Sequence, residues 1–259
     1  MIDMIDAAYA IALNTFKEAV RDRILAVFFL FAILMMASST ILSWLTVGSE
    51  LKIVTDVGLA AEAFFATLIA IFVGINLVYK EVEMRTIYAV LAKPVPRWLF
   101  IVGKYLGLMA VLIVAITLMS IFYLGLVWWK GGVLPLHLVG ALMLSVFEVS
   151  IVTAVAIVFS SFAPPIEAAI LTAGVWAVGH LTWGLTGLIE RIPSATAGTV
   201  IGLIYYLLPD LETFNIRAQV VHDLPVVASY YLNAFVYTAA YTAAMLTLAV
   251  LIFRQRDLK

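Results

Sequence analysis

Cysteine is absent from the chain. No disulfide, thiolate metal site or cysteine nucleophile is therefore available, and the redox compartment stays open. Charge is scarce as well. Asp, Glu, Lys and Arg make up 12% of the residues and nearly cancel, to a net −1, so no basic field exists for a nucleic acid. No G-x-x-x-x-G-K-[ST] run occurs, and the Gly103-Lys104 pair stands without the preceding glycines. The chain itself is thus not expected to bind and split ATP. H-E-x-x-H is missing too, and Ser and Lys are too scattered for a catalytic dyad. We expect no enzyme activity, no catalytic residue, no metal site and no cofactor bound by this chain. Asp3 and Asp6 stand near the N-terminus in place of positive charge, so no cleavable signal peptide is expected.

What the sequence has instead is apolar length. Hydrophobic residues make up 65% of the chain, and its mean hydropathy is +1.13. That composition predicts an all-α integral membrane protein, with residues 1–259 as a single transmembrane domain. Six spans are expected, near residues 24–45, 57–79, 105–128, 136–162, 166–189 and 227–253. The third lies inside a longer apolar run, 98–129, with Trp128 and Trp129 at the outer interface. A polar link with Glu50, Lys52 and Asp56 precedes the second span. Lys130, Gly131 and Gly132 read as a turn, and Pro164-Pro165 as a tight inner turn. Before the first span, residues 2–22 read as an amphipathic helix lying in the membrane interface. Its apolar stripe is Ile5, Tyr9, Leu13, Phe16 and Val20. Residues 194–208 are apolar but too short to cross, and read as an outer or re-entrant helix between spans five and six.

Basic residues set the orientation. With both termini cytosolic, eleven Lys and Arg fall inside and four outside, namely Lys52, Lys130, Arg191 and Arg217. The bias puts the N- and C-termini in the cytosol, and a multi-pass location in a cell inner membrane is expected. No three-plus-three repeat is visible, which argues mildly against an inverted-repeat carrier.

The most basic segment is residues 79–104, between the second and third spans. Within it Met84, Ile87, Tyr88 and Leu91 recur at helical spacing and form a narrow apolar stripe, with Glu81 and Arg85 one turn apart. Pro94 pushes Lys93 out of the helical region and ends this short helix. The run Glu83-Met84-Arg85-Thr86, then Pro94-Val95-Pro96-Arg97, then Gly103-Lys104 resembles permease subunits of the ABC-2 class of ATP-driven transporters. That class has E-x-G-T, P-x-x-R and G-K in the same order; here Arg85 stands where the class usually has Gly. The resemblance implies a membrane subunit paired with a separate ATPase that carries ATP and Mg. It also implies a second permease copy, as a homodimer or related heterodimer, surrounded by lipid. It makes Glu83, Met84, Arg85, Ile87, Tyr88 and Leu91 the residues of a cytosolic coupling helix, and the N-terminal helix an aid in holding the ATPase.

Ionisable residues inside spans are costly, at least about 2.5–3.5 kcal/mol near the bilayer centre, so they usually face a cavity or a partner. Glu148 and His180 each lie about 20 Å from the inner turn that joins their helices, taking 1.5 Å per residue. Equal depth lets them pair, either as a polar spot on a substrate pathway or as a lock between two helices. Glu62 is read near the outer leaflet, snorkelling to the surface or standing at the mouth of that pathway. Glu167 suits a helix N-terminus. Trp176, His180 and Trp183 share a helical face, as packing or as a ligand cage. Gly198 and Gly202 match the small-residue contact pattern. Asp210, Glu212, His222 and Asp223 could bind a cation, but their spacing fits no standard site and a solvated loop is the plainer reading.

The reading is therefore an ATP-driven permease subunit, an exporter by resemblance. Two rivals stand beside it. One is a proton-coupled carrier using Glu148 and His180, which predicts transport without ATP. The other is a non-transporting assembly factor, which predicts a tight partner and no transport.

Overall fold

The computed structural model describes residues 4–21, 26, 29–30, 32–34, 36–37, 41, 50–83, 96–131, 136–182, 202 and 207–255. Among these residues the fold is all-α, without strands. Seven helices carry it: α1 Met4–Arg21, α2 Glu50–Glu83, α3 Arg97–Gly131, α4 Leu136–Ser160, α5 Pro165–Gly179, α6 Arg217–Val221 and α7 Ala228–Gln255, with a single 3₁₀ turn at Glu212–Phe214. Among the described residues four stretches are long and apolar enough to cross a membrane: Leu51–Ile75, Arg97–Lys130, His137–Ser160 and Ala228–Gln255. These correspond to the second, third, fourth and sixth expected spans. Most of the first, 24–45, lies outside the described residues, as do most of residues 194–208.

α2 and α4 form the centre. They pack on each other, α3 lies against both, and α7 covers α4 and α3. Buried Ala66, Ile69 and Ala70 of α2 and Ile151, Ala154 and Ala156 of α4 make this core, small side chains letting the backbones approach. The outer faces keep large apolar residues exposed, such as Ile113, Leu118 and Ile121 on α3 and Leu232, Phe235 and Val236 on α7. That is the pattern of a surface solvated by hydrocarbon.

The helices overrun the expected spans. α2 begins at Glu50, so the expected polar link is its first two turns. No Gly or Pro interrupts 50–57, and Lys52 and Asp56, one turn apart, share an exposed face while Val54 and Thr55 are buried. At the other end α2 runs on through Glu83, four residues past the expected end of the span at Tyr79. α3 likewise continues to Gly131 through the expected turn at Lys130. At 34 and 35 residues, α2 and α3 are each about 50 Å long, well beyond a hydrocarbon core of roughly 30 Å. Beside the start of α3, the Arg97 guanidinium donates to the carbonyls of Phe253 and Arg254, at 3.3 and 3.1 Å. A cation thereby answers carbonyls that the end of α7 leaves unpaired.

α1 packs on α3 through small residues, not through its apolar stripe. Gly103 and Gly107, one turn apart, form the seat. A Cβ on Gly103 would lie 2.9 Å from Ile11 Cβ, and one on Gly107 would lie 2.5 Å from the Ala12 carbonyl oxygen and 2.6 Å from Thr15 Cβ. Thr15 and Ala19 are fully buried. Ile5, Tyr9, Leu13 and Val20 of the stripe stay exposed, and only Phe16 turns to the core. Lys104, 1% exposed, reaches Glu18 of α1 at 3.9 Å and lies over the Phe100 ring. The Gly103-Lys104 pair thus joins α1 to α3 about two turns inside the helix.

Candidate functional site

The site is built where α5 stops. The sequence suggested one continuous span over 166–189, but the helix ends at Gly179, fifteen residues from its start. Pro164 and Pro165 open it and Glu167 lies in its first turn. At its far end His180 N–H still reaches the Trp176 carbonyl, Leu181 N–H tightens onto Val178, and the chain leaves the helix. The stop comes from residues far along the sequence. Leu211 N–H donates to the Gly179 carbonyl at 3.0 Å, and any Cβ on Gly179 would sit 2.8 Å from the Pro209 carbonyl oxygen. A returning segment, 207–217, packs against this end of α5.

His180 is therefore a C-cap, not a mid-helix residue. It meets α4 at Glu148, the thirteenth residue of twenty-five. Glu148 is buried, and its Oε1 accepts the Trp176 indole N–H at 3.0 Å and lies 3.5 Å from His180 Nε2. His180 Nδ1 lies 3.1 Å from the Trp176 carbonyl, an acceptor, and so carries a proton. Its Nε2 faces a carboxyl oxygen. The carboxyl and the imidazole thus stand side by side, bridged by the Trp176 residue that touches both. Trp176 and His180 also touch ring to ring, 5.1 Å between centroids. Trp183 lies outside the described residues.

This junction lines a cavity of about 850 Å³ between α2, α4, α5 and the returning segment. Its walls are mostly apolar, with Phe64, Phe65 and Leu68 on α2 and Ala141 on α4; Ser145, Glu148, His180, Asn215 and Arg217 supply polarity. Phe64 packs near Trp176 across it, at 6.1 Å.

The returning segment satisfies its own backbone with side chains, as non-helical chain at membrane depth must. Asp210 accepts from Thr182 and Thr213, each at 2.8 Å, and its N–H donates to the Tyr237 hydroxyl at 2.9 Å. Tyr230 donates to the Thr213 carbonyl. Glu212 accepts from Asn215, and Asp223 lies 3.1 Å from His137 at the start of α4. Asp210, Glu212 and Asp223 thus serve as internal ties, and His222 is exposed. No group of three metal-ligating side chains occurs among the described residues.

Glu62 neither snorkels nor lines the cavity. It is fully buried between α2 and α3, and the Ser120 hydroxyl donates to its Oε1 at 2.6 Å. Its Oε2 has no hydrogen-bond partner among the described residues. The side chain leaves α2 on the face that meets α3, so it cannot stretch to a lipid surface. Of the coupling-helix residues, Glu83 ends α2, while Met84, Arg85, Ile87, Tyr88 and Leu91 lie outside the described residues.

A cavity lined by a buried carboxylate and an imidazole, inside a multi-pass bundle, fits a transport subunit. The family model for ABC-2 family transporter proteins matches residues 9–258. The chain belongs to this family. None of the curated proteins matches it. Membership assigns this ABC-2 protein a permease-type role in the membrane, and in the family such subunits generally work with an ABC ATPase.

The junction in this ABC-2 permease can be tested directly. Glu148→Leu strands the Trp176 N–H and the His180 ring, and should cost about 1–3 kcal/mol of stability. Glu148→Gln keeps a carbonyl oxygen for Trp176 and should cost less. Thermal unfolding in detergent checks both. A Gln variant as unstable as the Leu variant would show that charge, not the indole hydrogen bond, holds the junction. A stable Gln variant with reduced turnover would place the carboxyl on the transport path.

Proposed function

We propose that the chain is the membrane half of an ATP-driven exporter in a cell inner membrane, with both termini cytosolic and the nucleotide sites on a separate ATPase. The family match carries the reading, and two features support it. The chain has no phosphate-binding loop, so energy has to come from elsewhere. α2 and the start of α3 overrun a membrane's thickness at the end that carries residues 84–95, which gives a partner a rigid place to push. Two permeases and two ATPases form the working unit. ATPase closure moves the ends of α2 and α3, and the bundle alternates access to the cavity, a two-state change biased by nucleotide.

The coupling contact is Glu83 to Leu91. An apolar stripe of Met84, Ile87, Tyr88 and Leu91 fills a groove on the ATPase, with Glu83 and Arg85 at its rim. Desolvated aromatic anchors carry most interface energy and rim charges little. Tyr88→Ala should therefore weaken association by roughly 30-fold, and Glu83→Ala by less than about fivefold. Co-purification and substrate-stimulated ATP hydrolysis read this out. Full association and stimulation in both Tyr88→Ala and Ile87→Asp would remove this stretch as the coupling site.

One observation favours a second reading. Glu148 and His180 stand 3.5 Å apart on the wall of the cavity, a carboxyl and imidazole pair of the kind a proton-coupled carrier uses. Uptake by the purified chain driven by a pH gradient, without ATP, is the mark of that mechanism.

A further inference from the structure

We infer that the cavity takes an amphipathic molecule with a zwitterionic head, an ammonium group beside a phosphate or carboxylate; the inference rests on the transport reading above. The cavity does not end at the returning segment. A second, polar basin of about 460 Å³ adjoins it, and both share Asn215 and Arg217. An apolar chamber and a charged basin that meet at one guanidinium match a molecule with a tail and a head.

The chamber has little polarity left to offer a ligand. Glu148 is held by Trp176 and His180, Ser145 donates to the Ala141 carbonyl, and apart from the shared Asn215 and Arg217 the remaining walls are aromatic and aliphatic. The basin is different. Asp56, Glu212 and Gln219 present acceptors there. Gln219 Oε1 is buried and has no hydrogen-bond partner among the described residues. Arg217 donates its Nε–H to Asn215 Oδ1 at 2.9 Å, its charge acts on Glu148, and its terminal nitrogens make no hydrogen bond among the described residues. Arg217 lines both spaces, so it stands where head and tail would meet.

Complementarity then selects the head. An anion satisfies Arg217 but meets Asp56 and Glu212. A cation satisfies the acceptors but shuts Arg217 away from water without a partner. A neutral head answers neither charge. A zwitterion places its anionic group on the guanidinium and its N–H donors on the acceptors. His222 lines the basin from its exposed side.

The test uses the full chain in nanodiscs of phosphatidylglycerol, with bound molecules counted by native mass spectrometry. The probe is lysophosphatidylethanolamine. Its comparators, at equal chain length, are lysophosphatidic acid, an alkylamine and a monoacylglycerol, together with free phosphoethanolamine. The zwitterionic lipid should bind at least about tenfold more tightly than each comparator, one charge-assisted hydrogen bond's worth. Arg217→Gln should erase its advantage over the alkylamine while alkylamine binding persists, which also shows that the variant is folded. Equal binding of all heads, a preference for a head of one sign, or equally tight phosphoethanolamine would each overturn the inference. Failure of ATPase association with the head preference intact removes the exporter reading and leaves the site. ATP-driven transport without any head preference does the reverse.

Discussion

Replacing Gly107 by valine should detach α1 from the bundle. The new Cβ would fall 2.5 Å from the Ala12 carbonyl oxygen, which is backbone and cannot swing away. Overpacking at a close contact costs about 1–3 kcal/mol. The seat has little else to absorb the shift, because Thr15 and Ala19 already lie flush against α3. The chain has no cysteine, so a single Thr15→Cys provides a label site without background. With Gly107 in place, that buried thiol should react slowly with a water-soluble maleimide. A loss of about 2 kcal/mol should raise its reaction rate roughly 30-fold, since labelling follows the open population. Gly125→Val on the same helix is the control, because no atom lies within 4 Å of its added Cβ. Unchanged labelling in the Gly107 variant would mean that α1 is held by the Lys104–Glu18 contact rather than by the glycine seat.

The second large effect is expected at Glu62. Ser120→Ala removes the hydroxyl donor from a fully buried carboxyl and should cost about 1–3 kcal/mol or more. Glu62→Met with Ser120→Ala removes both polar groups together and should recover most of that loss, because an apolar pair needs no partner. The two changes are therefore strongly non-additive, and thermal unfolding of the two single variants and the double variant measures the coupling. Additive effects would show that the carboxyl finds its stabilisation elsewhere.

Helix positions were readable wherever an apolar run met a turn signal. Pro164-Pro165 fixed the register between α4 and α5, and counting from it brought Glu148 and His180 to one depth. The direction a side chain leaves its helix was not readable. Glu62 reads like any lone carboxylate near a membrane edge until α3 is set beside α2. The end of α5 was hidden for a related reason. Residues 166–189 are apolar without a break, and the stop at Gly179 is imposed by Pro209 and Leu211, thirty residues on. The Gly103-x-x-x-Gly107 spacing was in the sequence, yet the pattern noted there was Gly198 and Gly202. Gly103 had been absorbed into a loop motif, and nothing in one sequence says which of two such patterns meets a helix.

The fifteen residues of α5 also bear on voltage. They span about 22 Å, and above them runs a hydroxyl- and carboxylate-rich segment in place of hydrocarbon. If water fills the basin and chamber, the electrical drop across the membrane concentrates along α5 instead of the full thickness. Glu148 and His180 then sit near one end of that steep field. A full elementary charge crossing it exchanges about 2.3 kcal/mol per 100 mV. A net-neutral zwitterion crosses nearly free of that bias, whereas a proton moving between the junction and the far side feels almost all of it.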